Sequence, residues 1–190
     1  MAVGARDRPP FSGRPVGGAG SDGWIPPRVF DSLSPNYGPA RPKTVGIIIH
    51  GTHGGADTLE REFAGTLNWF GNVASAVSAH DVIGPAGEIA RVVPDHLIAW
   101  HAGALNTSYI GIEVVHRHPL ESVPEPTFRS LVWAIKKYAV RYGFPLINAT
   151  TPYHSETSQG VSIGKVDLFP RGSSEGKAFR AKIRAALGIS

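Results

Sequence analysis

Eight histidines in a chain without cysteine are the residues whose types could do metal chemistry. Since no thiolate is present, a metal ion would have to be held by His, Asp or Glu. Three positions stand out: His50 follows an apolar run, His154 lies in a polar loop, and Asp167 comes shortly after that loop. Two imidazoles and one carboxylate would leave a fourth tetrahedral position on zinc for water, which a catalytic site requires. Taken alone, each residue fits an ordinary loop or strand-end position at least as well.

The strands that must position these side chains can be predicted from apolar runs. The continuous run Val45–Ile49, bounded by Pro42 and Gly51, predicts a strand covered on both faces in the middle of a sheet. This places His50 at the carboxyl end of a strand, where ligands collect in open α/β sheets. Three more segments have strand character, namely residues 79–83, 89–93 and 109–115.

Three segments are predicted to be helical. Residues 57–70 have a helical pattern with Asp57 as N-cap, and a last helix covers about residues 174–187. The clearest helix spans residues 127–142, because its apolar residues follow the 3.6-residue period and Gly143 stops it. Strands and helices therefore alternate, which predicts an α/β fold with a mixed central sheet flanked by helices.

The first 42 residues differ in composition from the rest of the chain. They contain eight of the sixteen prolines and seven glycines, which favours a Pro/Gly-rich arm without regular structure. Apolar residues in its second half, such as Val29 and Phe30, give that half something to bury against the domain. The predicted organisation is an arm over residues 1–42 and a single catalytic domain over residues 43–190.

Charge and hydropathy restrict the class of partner. The formal net charge of +4 favours an anionic partner, and cell-wall polymers, nucleic acid and membrane surfaces all qualify. No apolar run reaches the roughly 18 residues that a membrane span needs, so no membrane insertion is expected. Residues 1–11 lack the hydrophobic core of a signal peptide, so synthesis in the cytoplasm is expected.

The order of short motifs along residues 44–171 resembles that of the type 2 N-acetylmuramoyl-L-alanine amidases. That family includes bacteriophage lysozyme-like amidases and the peptidoglycan recognition proteins. Each motif alone is weak evidence for the resemblance, whereas all of them in the same order are strong evidence. The motifs that carry the resemblance are Ile48–Thr52, Val77–Ile83, Gly87–Pro94, Ala99–Gly103, Ser108–Glu113, His154 and Lys165–Asp167.

The resemblance assigns a role to each matching position. It implies that Zn²⁺ is held by His50, His154 and Asp167 and activates a water molecule against the amide between N-acetylmuramic acid and L-alanine. Glu113 matches an acidic residue that takes the proton of that water and returns it to the leaving amine. Lys165 matches a lysine that stabilises the oxyanion. The remaining matching positions are expected in the substrate cleft or behind the metal ligands, and they are His80, Trp100 and His101.

Two departures from the family pattern affect the site. The usual Asp-Pro-Gly after the lysine is replaced here by Asp167-Leu168-Phe169, so the loop behind the third ligand must take another path. Ala79 stands where phage lysozyme-like members carry a tyrosine, so Glu113 alone must carry the proton transfers. An enzyme that depends on glutamate is therefore expected.

Three competing interpretations remain at this stage. A non-catalytic peptidoglycan-recognition module of the same fold is the main alternative. Gly172–Gly176 formally matches the G-x-S-x-G pattern of serine hydrolases, although Ser174 fits a helix N-cap better. The basic stretch Lys177–Arg184 suggests nucleic-acid binding but also fits a solvated helix face, so no nucleic-acid partner is expected.

The expected setting is that of a phage endolysin, a bacteriolytic and hence antimicrobial hydrolase, or of a bacterial enzyme that remodels the cell wall. Its partners would be bacterial peptidoglycan or muropeptides, and the chain would act as a monomer. Without a visible export signal, it would reach the cell wall through a separate phage pore.

Overall fold

A mixed β-sheet forms the centre of the computed structural model, which describes residues 25–189. Its five strands lie in the order β1-β5-β4-β7-β3. A separate antiparallel pair is formed by β2 and β6. The strands are β1 (Val29–Asp31), β2 (Tyr37–Ala40), β3 (Gly46–Gly51), β4 (Asp81–Ile83), β5 (Ile89–Arg91), β6 (Leu97–Ala99) and β7 (Tyr109–Val114).

Three of the five strands run parallel and end at the same edge of the sheet. β7 is parallel to both β3 and β4, whereas β5 is antiparallel to β4 and parallel to β1. The predicted mixed sheet is thus confirmed. Because β3 and β7 are parallel neighbours, residues at their carboxyl ends share one edge of the sheet.

The predicted position of β3 in the middle of the sheet is wrong. All six residues of β3 are buried, as its apolar run indicated, yet β3 is the last strand in the order. Its outer edge is covered by the segment around Tyr153, which forms a parallel bridge to Ile49, while the Ile49 N–H donates to the Pro152 carbonyl at 2.9 Å. All residues of β3 can therefore be buried although only one of its two edges pairs with a full strand.

The described part of the chain contains four α-helices, two of which are capped one residue away from the predicted position. Thr58, not Asp57, caps the first helix by accepting the Arg61 N–H, and Ser173, not Ser174, caps the last. The longest helix ends at Gly143, as predicted. The helices are α1 (Leu59–Gly71), α2 (Glu125–Tyr142), α3 (Ser158–Ser162) and α4 (Ser174–Leu187).

The helices cover both faces of the sheet. Odd-numbered residues of β3, such as Ile47 and Ile49, pack with α2 and α4 in the larger core cluster. A smaller cluster on the other face contains Val82 and Ala90 and is joined by Phe63 and Leu67 of α1. Since successive side chains of a strand point to opposite faces, even-numbered residues of β3 face α1.

The chain before β3 also contacts the sheet. β1 pairs with β5, and the Arg41 guanidinium donates to the Tyr109 carbonyl at 3.3 Å. The proposed boundary between arm and domain at residue 42 stays a prediction, and residues 1–24 lie outside the described part of the chain. Among the described residues, no helix is both long enough and apolar enough to span a membrane.

Candidate metal centre and cleft

His50 and Glu113 lie side by side at the carboxyl ends of β3 and β7. The two residues are partners in the parallel register of these strands. Both belong to the set of alternating positions that face α1, because Ile49 and Ile112 on either side point into the larger core. Two apolar strands thus carry one imidazole and one carboxylate to the same edge and face of the sheet.

His154 and Asp167 reach this edge from the irregular chain after α2. His154 begins a short 3₁₀ turn, His154–Glu156, directly after Tyr153 has bridged to β3. The two segments are tied together because the Ser155 N–H donates to the Asp167 carbonyl at 2.8 Å. Both His154 and Asp167 are buried. Backbone pairing, not a regular element, therefore positions these two side chains.

Asp167 Oδ2 lies 3.2 Å from His50 Nδ1 and 3.1 Å from His154 Nδ1. In a tetrahedral zinc site with bonds of about 2.0–2.1 Å, neighbouring ligand atoms are about 3.3 Å apart. One nitrogen or oxygen from each of the three residues lies within 4.8 Å of the others. The spacing and the donor types of His50, His154 and Asp167 therefore fit a zinc ion.

The electrostatics of these side chains favour the protonation states that bind a metal. Burial lowers the pKa of His50, so its imidazole is neutral near pH 7. Burial opposes ionisation of Asp167, but hydrogen bonds from His154 and His50 outweigh it and lower the pKa of that carboxyl below its usual range. A neutral imidazole and an ionised carboxylate are the forms that coordinate zinc.

Glu113 is held in an environment that opposes its charge. Burial, followed by the nearby Asp167 carboxylate, raises the pKa of Glu113 to about 8, while the positive charge of Lys165 acts in the opposite direction. Glu113 Oε2 is buried and has no hydrogen-bond partner among the described residues. A buried polar atom left without a partner costs about 1–3 kcal/mol. Such a group is typical of a functional site rather than of a structural carboxylate.

The segment directly after Asp167 is packed into the core. Leu168 and Phe169 stand where the family pattern has Pro-Gly, and both side chains are buried in the larger core. The Ser155 hydroxyl also donates to the Phe169 carbonyl at 2.7 Å. Two apolar side chains thus anchor the Asp167 segment from behind.

The other predicted residues lie at different distances from the candidate metal ligands. His101 contacts His50 directly, with 3.1 Å between His101 Nδ1 and His50 Nε2, and its ring lies over Gly111, where a Cβ atom would be 2.6 Å from the ring. His80 is fully buried behind His101, with 5.8 Å between the ring centroids. Trp100 is partly exposed, and its backbone N–H donates to the Ser78 hydroxyl. Lys165 is exposed next to the site.

Glu62 is a buried carboxylate near the site that the sequence did not reveal. It lies on α1 and accepts the backbone N–H groups of Gly54 and Ala56, the latter at 3.0 Å. It thereby fixes the loop that follows β3 and adds to the electrostatic field that raises the pKa of Glu113. Its only sequence signal was an acidic residue at a core-facing position of a predicted helix.

A cavity of about 520 Å³ lies between α1 and the end of β7. Glu113 lines it together with Glu62, while Arg61 and the exposed Trp69 stand on the helical wall. Its lining residues are Thr52, Gly54, Gly55, Ala56, Arg61, Glu62, Gly65, Thr66, Trp69, Phe70 and Glu113. The half-buried Glu113 carboxyl group therefore borders an open cleft of ligand size.

The serine-hydrolase interpretation of Gly172–Gly176 finds no support in the geometry. Ser174 is the first residue of α4 and its hydroxyl contacts the neighbouring Glu175 at 3.0 Å. A nucleophile elbow requires a strand immediately before the serine. Within the described chain, the preceding strand in sequence is β7, about 60 residues earlier.

Comparisons with known proteins agree with these observations. The family model described as N-acetylmuramoyl-L-alanine amidase matches residues 40–165. N-acetylmuramoyl-L-alanine amidase A of Achromobacter lyticus is 38% identical over 81 residues, which span 42% of this chain and 42% of that protein. The match thus covers less than half of the curated relative.

Solved structures show the same fold at low sequence identity. N-acetylmuramoyl-L-alanine amidase LysC from Clostridium intestinale URNW superposes with a TM-score of 0.58 at 18% identity, covering 86% of this chain and 99% of LysC. Staphylococcus aureus hydrolase AmiA, solved in complex with its ligand, superposes with a TM-score of 0.63 at 15% identity, covering 87% of this chain and 84% of the AmiA chain.

Proposed function

This chain belongs to the N-acetylmuramoyl-L-alanine amidase family, and we propose that it is a zinc-dependent hydrolase of the amide bond between N-acetylmuramic acid and L-alanine in bacterial peptidoglycan. The observation that carries this proposal is the convergence of His50, His154 and Asp167 within ligand distance, with Glu113 beside His50. Family membership alone would also fit a module that only binds peptidoglycan. A complete set of candidate ligands next to a half-buried carboxylate supports an enzyme.

His50, His154 and Asp167 would hold the metal through two neutral imidazoles and one ionised carboxylate. When bound, zinc supplies a Lewis acid that lowers the pKa of water to about 7 and polarises a carbonyl oxygen. The protein contributes ligands that are fixed in advance by two backbone anchors, namely the end of β3 and the Ser155–Asp167 hydrogen bond. Such a site needs little reorganisation when substrate binds.

Glu113 is the group that would hold and move the proton. Its carboxylate lines the cleft, and its pKa of about 8 in the metal-free chain is within the range in which a general acid–base works near neutral pH. It can take a proton from the attacking water and deliver it to the leaving amine. Lys165 favours the ionised form of Glu113 and offers positive charge to an oxyanion.

The cleft on the α1 side would receive the muramoyl-peptide. Trp69 and Arg61 on its wall offer an aromatic surface and a cation to a substrate that contains sugar rings and carboxylates. Intact peptidoglycan and soluble muropeptides carry the same scissile amide. The proposed setting is a monomeric endolysin that is made in the cytoplasm, passes through a phage pore and lyses the wall.

The proposal is tested by chemical identification of the cleaved bond. Purified protein is incubated with peptidoglycan sacculi and with soluble muropeptides, with and without a zinc chelator, and newly exposed amino termini are identified. We expect new L-alanine termini that disappear on chelation and return with added zinc. Termini of another amino acid would refute the assigned bond.

A matched variant separates catalysis from binding. His50→Ala removes one ligand and should abolish both zinc retention and L-alanine release. Wild-type protein that is loaded with zinc, binds sacculi and releases no termini from either substrate would instead be a recognition module.

A further inference from the structure

Gln159 contacts the metal-ligand candidate His154 on the side of the ring that faces away from the metal. Its Oε1 atom lies 2.6 Å from His154 Nε2. His154 is buried, and its other ring nitrogen, Nδ1, points to Asp167 Oδ2 at 3.1 Å. Both nitrogens of the ring are therefore engaged, one with a carboxamide oxygen and one in the cluster of ligand atoms.

The partner at Nε2 decides which nitrogen of a neutral imidazole is free for a metal. A neutral histidine carries one proton on its ring, and only the nitrogen without it can coordinate zinc. A carboxamide oxygen can accept a hydrogen bond but not donate one, so its contact favours the proton on His154 Nε2. When zinc lies beside Asp167, Nδ1 offers it a free lone pair, whereas in the metal-free chain the Asp167 carboxylate competes for a proton at Nδ1.

His50 has the same arrangement with a different partner. His50 Nε2 lies 3.1 Å from His101 Nδ1, and His101 Nε2 lies 3.2 Å from the Tyr109 carbonyl oxygen. A carbonyl accepts only, so His101 carries its proton on Nε2 and accepts from His50 at Nδ1. When zinc lies beside Asp167, the lone pair of His50 Nδ1 is thereby available to it, as that of His154 Nδ1 is. The two imidazoles are thus held in the same tautomer from opposite sides.

We propose that Gln159 is the positioning residue of the metal centre, holding His154 in the Nε2–H tautomer with Nδ1 presented to zinc. This inference rests on the proposed zinc site and adds to it a residue outside the ligand set. Partners of this kind typically contribute about 10- to 100-fold to metal affinity.

Contacts of helix α3 hold Gln159 beside His154. The Thr157 hydroxyl accepts the Gly160 N–H at 2.9 Å and donates to the His154 carbonyl at 2.8 Å, so the helix start and the ligand form one unit. The aliphatic part of the Gln159 side chain lies next to Gly103, where a Cβ atom would be 3.5 Å from Gln159 Cγ. The carboxamide is therefore confined between α3 and the segment that follows His101.

Two substitutions separate the hydrogen bond from the volume of the side chain. Gln159→Leu keeps much of the volume and removes the acceptor, whereas Gln159→Glu keeps an oxygen acceptor at the same position. Val161→Ala, at an exposed position of the same helix, is the matched control. Zinc dissociation constants are measured by competition with a chromophoric chelator, and the melting temperature of each metal-free variant is recorded alongside.

We expect Gln159→Leu to weaken zinc binding by about 10- to 100-fold, with Gln159→Glu and Val161→Ala within a few-fold of the wild type. Equal affinity of Gln159→Leu and wild-type protein would overturn the role of Gln159 and leave the zinc site standing. A wild-type chain that does not bind zinc would overturn the site and the inference together.

A second measurement does not depend on a stable variant. Nitrogen-15 NMR of histidine-labelled, zinc-loaded wild-type protein reports which ring nitrogen of His154 carries the proton. We expect His154 to be protonated at Nε2 and not at Nδ1. Protonation at Nδ1, or rapid averaging between the two forms, would refute the inference even if Gln159→Leu failed to fold.

Discussion

Replacing His80 with asparagine should remove a large part of the acid sensitivity of this fold. His80 is fully buried, its Nδ1 accepts the Gly111 N–H at 2.9 Å, and its Nε2 lies 3.1 Å from the Leu97 carbonyl oxygen. The neutral ring satisfies both contacts. A second proton would have to bind Nδ1, where it would point at the Gly111 N–H and remove that hydrogen bond. Burial, followed by the Arg41 guanidinium, lowers the pKa of His80 from 6.5 to about 3.

The sign and size of the effect follow from this pKa. Below pH 6.5 the unfolded chain binds a proton at His80, but the folded chain does not do so until about pH 3, so stability is lost as the pH falls through this window. At about pH 4.5, two units below 6.5, the loss from this residue is about 2.7 kcal/mol. His50 and His101 also face His80, and burial lowers the pKa of each, so the wild type loses more than this amount in total.

The assay is urea denaturation of the metal-free protein at about pH 7.5 and about pH 4.5. Between these two pH values, the loss in the free energy of unfolding should be about 2–3 kcal/mol smaller for His80→Asn than for the wild type. Ile83→Val, in the buried strand β4 that follows His80, should lose about 0.5–1.5 kcal/mol at both pH values and keep the pH dependence of the wild type. An equal loss in wild type and His80→Asn would show that His80 is not held neutral by its surroundings.

Four further substitutions have outcomes that the structure predicts. Glu113→Gln should retain zinc and lose about 10²- to 10⁴-fold in turnover of muropeptide, and a fully active variant would remove Glu113 from the mechanism. Gly160→Ala should lower both zinc affinity and melting temperature, because a Cβ atom would lie 1.9 Å from the His154 carbonyl oxygen. Gly65→Ala, which meets no atom within 4 Å in the middle of α1, should instead raise stability by about 0.5–1 kcal/mol, as thermal denaturation can check. Tyr138→Phe should lower the free energy of unfolding in urea by about 1–3 kcal/mol, because its hydroxyl donates to a buried carboxylate of β4 at 2.6 Å; an unchanged midpoint would contradict that.

The parts of the fold with a strong hydrophobic period were predictable from the sequence. The run before His50 and the run that contains Glu113 both form strands, and α2 ends at Gly143 as its pattern indicates. The two strands are parallel neighbours, and the observed register places His50 beside Glu113. The position of β3 in the sheet was not predictable, because an apolar run records burial but not what buries it. Here the segment before His154 covers the outer edge of β3.

The residues that support the candidate ligands were harder to find. Gln159 and Glu62 act through side-chain oxygens that accept from groups 5 and 8 residues away in sequence, and neither position belongs to a repeating pattern. Arg41 lies at the end of a segment whose prolines and glycines favoured an arm, yet its guanidinium contacts carbonyl groups of the domain. Such contacts depend on the path of irregular chain, which the local sequence does not determine.

Anomalous diffraction at the zinc absorption edge, from crystals grown with one equivalent of zinc, tests the proposed centre most directly. We expect a single strong peak per chain, bonded to His50 Nδ1, His154 Nδ1 and Asp167 Oδ2, with Glu113 nearby and not coordinated. A peak at another group of residues, coordination through the Nε2 atoms, or no peak at all would contradict the proposed metal site.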